Sequence, residues 1–182
     1  DDSWYIEGDF GGMIVEDSSS TDAAGVVSTI NSKPGFDVGG IVGYDFGGFR
    51  LEAETSYRRA KNDELVVGTV NFTDLDGSIS DLSFMMNGLL DFGADDGLQG
   101  FVGGGVGVGR AKVSESGLLD DSDTGFAWQA LAGIRYPVSD NIDVGLKYRF
   151  FNQDDVNLID VGGDPVDSRF RSHSLMLTLG YN

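Results

Sequence analysis

Apolar and polar side chains alternate with a period of two along eight stretches of this chain, and the links between them alternate short and long. A strict period of two is the signal of a strand with two different environments on its faces. The alternation predicts strands over residues 3–15, 36–46, 49–58, 82–92, 98–113, 126–136, 142–150 and 174–181. Short links fall at Gly47-Gly48, Ala94-Gly97 and Pro137-Asn141; long polar links span residues 16–35, 59–77, 114–123 and 152–168. Tight turns on one side and large loops on the other are what an antiparallel up-and-down barrel crossing a bilayer should have. The expected class is therefore all-β, an eight-stranded transmembrane barrel forming one domain over residues 1–182.

The faces are most distinct in the third and seventh stretches. Phe49, Leu51, Ala53, Thr55 and Tyr57 oppose Arg50, Glu52, Glu54, Ser56 and Arg58, while Ile142, Val144, Leu146, Tyr148 and Phe150 oppose Asp143, Gly145, Lys147 and Arg149. In the glycine-rich fifth stretch, Val102, Val106 and Val108 are expected outward, with Gly103, Gly105 and Gly107 leaving room inside. A soluble, lipocalin-like carrier would turn the apolar face inward. Against that stand the rings of Trp4, Phe36, Tyr44, Phe46, Phe49, Tyr57, Phe92, Phe126, Trp128, Tyr136, Tyr148, Phe150 and Tyr181, all on the apolar face and mostly near strand ends. Such rings form girdles at membrane interfaces, and an eight-stranded barrel has no room for them inside. The apolar face is thus expected to meet outer-membrane lipid. Unpaired backbone is costly in hydrocarbon, so the last strand is expected to close on the first.

The polar face then lines the lumen with Glu7, Asp9, Asp37, Asp45, Arg50, Glu52, Glu54, Arg58, Asp91, Arg135, Asp143, Lys147 and Arg149. Buried charges must pair, and Glu52 and Glu54 are expected to face Arg135, Lys147 and Arg149. Such a network serves either as a rigid polar plug or as a gate whose ion pairs exchange partners to admit ions or small solutes.

A net charge of −18 argues against a nucleic-acid partner, which needs clustered cations. Cysteine is absent, so there is no disulfide framework and no thiolate site. No apolar run approaches the ~18 residues of a membrane helix, which says nothing against a barrel. The chain begins without a basic, apolar export signal, which on the barrel reading has been removed. The single histidine, His173, lies between Ser172 and Ser174, which point to the opposite face of a strand. A rim histidine is expected, and not a serine–histidine dyad; Ser116 or Ser122 in the third long loop could approach His173, but nothing in the spacing recommends it. Residues 103–109 lack the lysine and helix of a phosphate loop. Acidic segments at Asp74-Asp76 and Asp120-Asp123 read as solvated loops, with weak divalent-cation bridging to lipid as the alternative, and Asp95-Asp96 and Asp154-Asp155 read as turn residues and not acid–base pairs. No cofactor, no metal centre and no enzymatic activity are expected.

Several segments together resemble the transmembrane domain of the OmpA-like outer-membrane proteins, including porin-like and opacity-type relatives. They are Ser3-Trp4-Tyr5-Ile6, Ser83 to Phe92, Phe101 to Gly109, Phe126 to Phe150, and His173 to Asn182. Their order and spacing carry the resemblance, which covers nearly the whole chain. It implies a bacterial outer-membrane barrel with short periplasmic turns and long extracellular loops. It also implies a mainly structural role: envelope integrity, adhesion or recognition through surface loops, sometimes weak ion conduction. The family's lumen gate maps loosely onto Glu52 or Glu54 with Lys147 or Arg149. Members often continue into a periplasmic peptidoglycan-binding domain. This chain ends at Tyr181-Asn182 without a terminal aromatic, which leaves such a continuation open. The barrel is expected to be a monomer whose surface ligands the sequence does not name.

Overall fold

The computed structural model describes residues 2–16, 18–21, 27–32, 34–67, 70–93, 97–115, 119–159 and 165–182. Side chains are described for 2–16, 34–60, 78–93, 97–112, 124–153 and 170–182. Ten strands follow one another: β1 (Ser3–Val15), β2 (Ser18–Thr21), β3 (Val27–Ser32), β4 (Gly35–Asp45), β5 (Phe49–Val67), β6 (Val70–Gly93), β7 (Gln99–Glu115), β8 (Leu119–Ser139), β9 (Ile142–Ile159) and β10 (Pro165–Tyr181). Eight of them form a closed antiparallel ring in the order β5-β4-β1-β10-β9-β8-β7-β6, with β6 pairing back onto β5. The last strand closes on the first from Ile6↔Tyr181 to Val15↔Ser172, so the barrel has no free edge across its width.

Side-chain burial follows the predicted period. Ile6, Phe10, Val42, Leu51, Phe84, Val106, Leu146 and Leu177 are exposed, while Asp9, Ile41, Glu52, Met85, Lys147 and Met176 beside them are buried. Leu177 keeps 68% of its surface open, whereas its neighbour Met176 keeps none. That contrast is the wall of an inside-out barrel: apolar outside, filled within. A soluble carrier would have shown the reverse.

The long links differ from expectation. Three of them are chiefly continuations of the strands, since β5 and β6 stay paired to Val67↔Val70, β7 and β8 to Glu115↔Leu119, and β9 and β10 to Ile159↔Pro165. The fourth contains the β2–β3 hairpin, which adds to β5 between Ser28↔Val67 and Ser32↔Asn62. Hydrophobic alternation reports where a strand meets lipid; beyond the belt the backbone ladder continues without a sustained alternation to reveal it. At the opposite end, β8 runs through Pro137 to Ser139, leaving Asp140-Asn141 as the turn. The register shifts between Pro137 and Ser139, a bulge being a position where a missing N–H is tolerated. The β4–β5 turn holds Gly47 at φ 99°, with its N–H donated to Asp45 Oδ1 at 2.6 Å. Most of the expected Ala94-Gly97 turn, with Asp95-Asp96, lies outside the described residues.

Glycines on one strand make space for large side chains on the next. Tyr5 sits opposite Gly43, Leu89 opposite Gly103, Asn87 opposite Gly105 and Phe101 opposite Gly133. A Cβ added at Gly43 would lie 2.6 Å from the Tyr5 hydroxyl, and one at Gly133 would lie 2.5 Å from Phe101 Cζ. Overpacking of this kind costs about 1–3 kcal/mol. Gly43→Ala is therefore expected to destabilise the barrel by about that much in a urea titration, and a Tyr5→Ala background should remove most of the cost.

Candidate functional site

The lumen is a stack of three layers. Nearest the short turns, Arg50 bridges Asp91 through Nε and Nη2 at 2.8 and 2.9 Å and stacks 5.1 Å over the Phe101 ring. Its Nη1 reaches Tyr5 Oη at 3.2 Å and Glu52 at 3.3 Å, and the Tyr5 hydroxyl donates to Glu52 at 2.5 Å. Arg135 at the rim reaches Asp45 at 3.3 Å and donates to Gln99 at 2.6 Å. Beside these charges lies an apolar cluster of Leu89, Phe101 and Leu131.

The middle layer is ionic. Lys147 bonds Glu7 at 2.5 Å and Asp9 at 3.1 Å. Arg149 spreads one guanidinium over three carboxylates: Asp37, with both oxygens at 3.0 Å, Asp9 at 3.4 Å, and Glu54. Glu54 also accepts from Asn87 at 2.7 Å and Gln129 at 2.9 Å. Arg58 continues the chain to Asp37 at 3.2 Å, Asp81 at 2.9 Å and Ser56 at 2.8 Å, and Ser174 donates to Asp37 at 2.8 Å. Arg50, Arg58, Lys147 and Arg149 are essentially fully buried.

Towards the loops the lumen turns apolar again. Met13, Val15, Ala60, Met85, Ala127, Phe151 and Phe170 form one cluster, and the Phe151 ring lies 3.8 Å beneath the Arg58 guanidinium. This second cluster adds apolar packing to an interior expected chiefly from its charged residues. Inward apolar side chains such as Met13, Leu89 and Leu131 occupy the polar phase of their strands and carry no signal against that background.

The expected pairs differ in detail from those observed. Glu54 meets Arg149, whereas the direct partners of Glu52 are Arg50 and Tyr5, those of Lys147 are Glu7 and Asp9, and Arg135 turns to Asp45. Arg50 and Glu52 lie two apart on one strand and so share a face, a closer match than any cross-lumen reach. Asp143 is bonded to Asn182 at 3.1 Å at the turn end. Sequence reading missed Asp81 because it precedes the apolar run from Leu82, although it keeps the parity of Ser83 and Met85.

On the outer wall the rings fall into two bands. Trp4, Tyr44, Phe46 and Phe49 are in mutual contact near the turns, as Phe92, Tyr136 and Tyr181 are placed on neighbouring strands. Phe36 meets Tyr57, and Trp128 meets Phe150, towards the loops, where Phe126 and Tyr148 also lie. His173 faces outward among them while Ser172 and Ser174 are buried. The Tyr148 hydroxyl meets its Nδ1 at 2.6 Å and Glu16 meets its Nε2 at 2.8 Å. A phenol donating to Nδ1 places the ring hydrogen on Nε2, toward Glu16. That hydrogen bond, aided by Arg171, holds the Glu16 carboxyl below its ordinary range. A lowered carboxylate stabilises the fold above its unfolded pKa, and the contribution disappears as pH falls through the folded value. For so exposed a pair the expected effect is a few tenths of a kcal/mol, read as faster amide exchange at the β1–β10 rim in acid that Glu16→Gln abolishes.

Among the described residues no cluster of three or more His, Cys, Asp or Glu side chains is arranged to hold a metal ion. The acidic segments at Asp74-Asp76, Asp120-Asp123 and Asp154-Asp155 have side chains outside the described ones, and Ser116 lies outside the described residues.

A closed eight-stranded ring with an apolar wall outside and paired charges within defines a transmembrane barrel of the bacterial outer-membrane class. The chain belongs to the outer membrane protein beta-barrel domain family, which matches it over residues 1–182; it is an outer-membrane protein in contact with membrane lipid. It is 26% identical over 176 residues to the outer membrane protein PagN of Salmonella typhimurium, covering 82% of this chain and 74% of that protein. Among solved structures, Neisserial surface protein A is similar with a TM-score of 0.61 at 20% identity, covering 98% of this chain and 96% of that one. The outer membrane protein OprG from Pseudomonas aeruginosa gives a TM-score of 0.63 at 14% identity, covering 98% and 94%. The two structural likenesses establish the fold.

Proposed function

We propose that this protein is a monomeric structural barrel that supports the envelope and presents its loop-end hairpins for adhesion or recognition outside the cell. The observation that carries this reading is the filled lumen: an ionic layer between two apolar clusters, with Arg58, Lys147 and Arg149 each held by carboxylates. A conducting pore needs a wet path, and here Leu89, Phe101 and Leu131 at one end and Phe151 and Phe170 at the other stand across it. The hairpins extend the paired backbone well beyond the apolar belt, which gives surface segments a rigid support.

The test pairs two measurements. Purified barrel in planar bilayers is expected to leave conductance at the lipid baseline. Cells displaying the barrel are expected to lose surface binding when the tip of the β5–β6 hairpin is replaced by a short glycine-serine link, with the barrel still assembled. Steady conductance that changes when Glu52, Glu54 or Arg149 is neutralised would replace this reading with a narrow channel for ions or small solutes.

A further inference from the structure

Asp81 and Gln153 turn two buried oxygens, neither with a hydrogen-bond partner among the described residues, toward the space over Gly109. Asp81, in β6, gives Oδ1 to Arg58 Nη1 at 2.9 Å, while its Oδ2 is buried without a hydrogen-bond partner. Gln153, in β9, donates Nε2 to the Gly109 carbonyl at 2.9 Å, which leaves Oε1 buried and equally without a donor. Both oxygens line the space over Gly109 of β7. A Cβ there would lie 3.0 Å from Asp81 Oδ2 and in hard contact with Gln153 Oε1. Rotating the amide would set Oε1 against the Gly109 carbonyl and lose the bond already made. Of these two acceptors only the carboxyl can take up a hydrogen, and a hydrogen on Oδ2 gives both oxygens a partner.

The surrounding charge agrees. Arg58 on β5 is the cation that contacts Asp81, and it is shared with Asp37 of β4, which also holds Arg149. Among the described residues Asp81 otherwise borders Gln153 and the bare Gly109, which supply no charge, and beyond Arg58 lies the Phe151 ring. Through the described lumen, the carboxylates Glu7, Asp9, Asp37, Asp45, Glu52, Glu54, Asp81 and Asp91 outnumber the cations Arg50, Arg58, Arg135, Lys147 and Arg149. A buried excess of carboxylates favours the protonated form of some of them.

We propose that Asp81 is a proton-binding site, carried in the folded barrel as the carboxylic acid with its Oδ2–H donated to Gln153 Oε1. The inference rests on the closed, filled lumen proposed above. Folding takes one proton from solvent onto the Asp81 carboxylate, which seals the ionic layer against the loop-side apolar cluster. Loss of that proton leaves a carboxylate facing the Gln153 carbonyl oxygen and drives Gln153 off Gly109. The outer end of the plug is therefore expected to loosen in alkaline solution.

The test is infrared spectroscopy of the refolded barrel in heavy water at neutral pH, where a protonated carboxylic acid has a carbonyl stretch distinct from carboxylate bands. The expected result is such a band with a component that vanishes in Asp81→Asn. That variant is expected to stay folded, because its Oδ1 still accepts from Arg58 and its Nδ2 donates to Gln153. Gln153→Leu, which keeps Asp81 and removes the acceptor, is expected to shift the band upward, and it decides the matter if Asp81→Asn fails to assemble. No band in the parent protein, or a band untouched by these substitutions, would overturn the proposal. Conductance does not enter this readout, so failure here leaves the structural reading standing.

Discussion

Arg149→Met is expected to cost the barrel about 3–5 kcal/mol, the largest loss from any single lumen substitution. Removing one partner of a buried ion pair leaves an uncompensated charge, and that penalty exceeds the net worth of the pair. Here one guanidinium serves Asp9, Asp37 and Glu54 together. Methionine fills much of the same volume, so the loss reports charge and hydrogen bonds more than a cavity. Arg149→Lys should fall between, because an ammonium lacks the planar fork that gives Nη1 to Asp37 while Nη2 serves Asp9 and Glu54. A urea titration of the detergent-refolded protein, followed by the fluorescence of Trp4 and Trp128, measures both. The double change Arg149→Met with Glu54→Gln is expected to recover part of the loss. Equal stability of Arg149→Met and the parent would mean that the lumen is watered and the network is not what holds it.

Leu177→Arg is expected to destabilise by about 2–4 kcal/mol, the scale for arginine on a barrel's lipid face at mid-bilayer. Leu177 stands midway along the exposed row from Leu175 to Tyr181 and pairs with Phe10 and Leu146 on either side. Arg at the rim position Tyr181 should cost much less, because there the guanidinium reaches the interface. In detergent alone both penalties should shrink. A flat response along the row would remove lipid from the account of the outer wall.

Most of the ring was legible in the sequence because lipid and lumen impose opposite demands on adjacent residues. Phe49 through Arg58 show this best: every odd residue is exposed and every even one buried. Legibility ended where that contrast ended. Residues 61–67 and 70–77 continue β5 and β6, but runs such as Lys61 to Glu64 and Leu65-Val66-Val67 break the alternation, and only the backbone ladder persists. The interior pairs were harder still. That Arg149 meets Glu54 while Lys147, two residues before it, meets Glu7 depends on strand tilt and stagger, which sequence alternation does not encode. The rule that the large inward Tyr5, Asn87 and Phe101 each oppose a glycine was present in the sequence only as a surplus of glycine, 28 in all. Its meaning required the register.

The inside-out wall is tested most directly on β10. The chain contains no cysteine, so single cysteines at positions 174 to 179 can each carry a nitroxide label in the bilayer-reconstituted barrel. Labels replacing Leu175, Leu177 and Leu179 are predicted to collide freely with lipid-dissolved oxygen, and those at Ser174, Met176 and Thr178 to be shielded from both oxygen and a water-soluble nickel chelate. The opposite phase, or oxygen access with no alternation, would contradict the account.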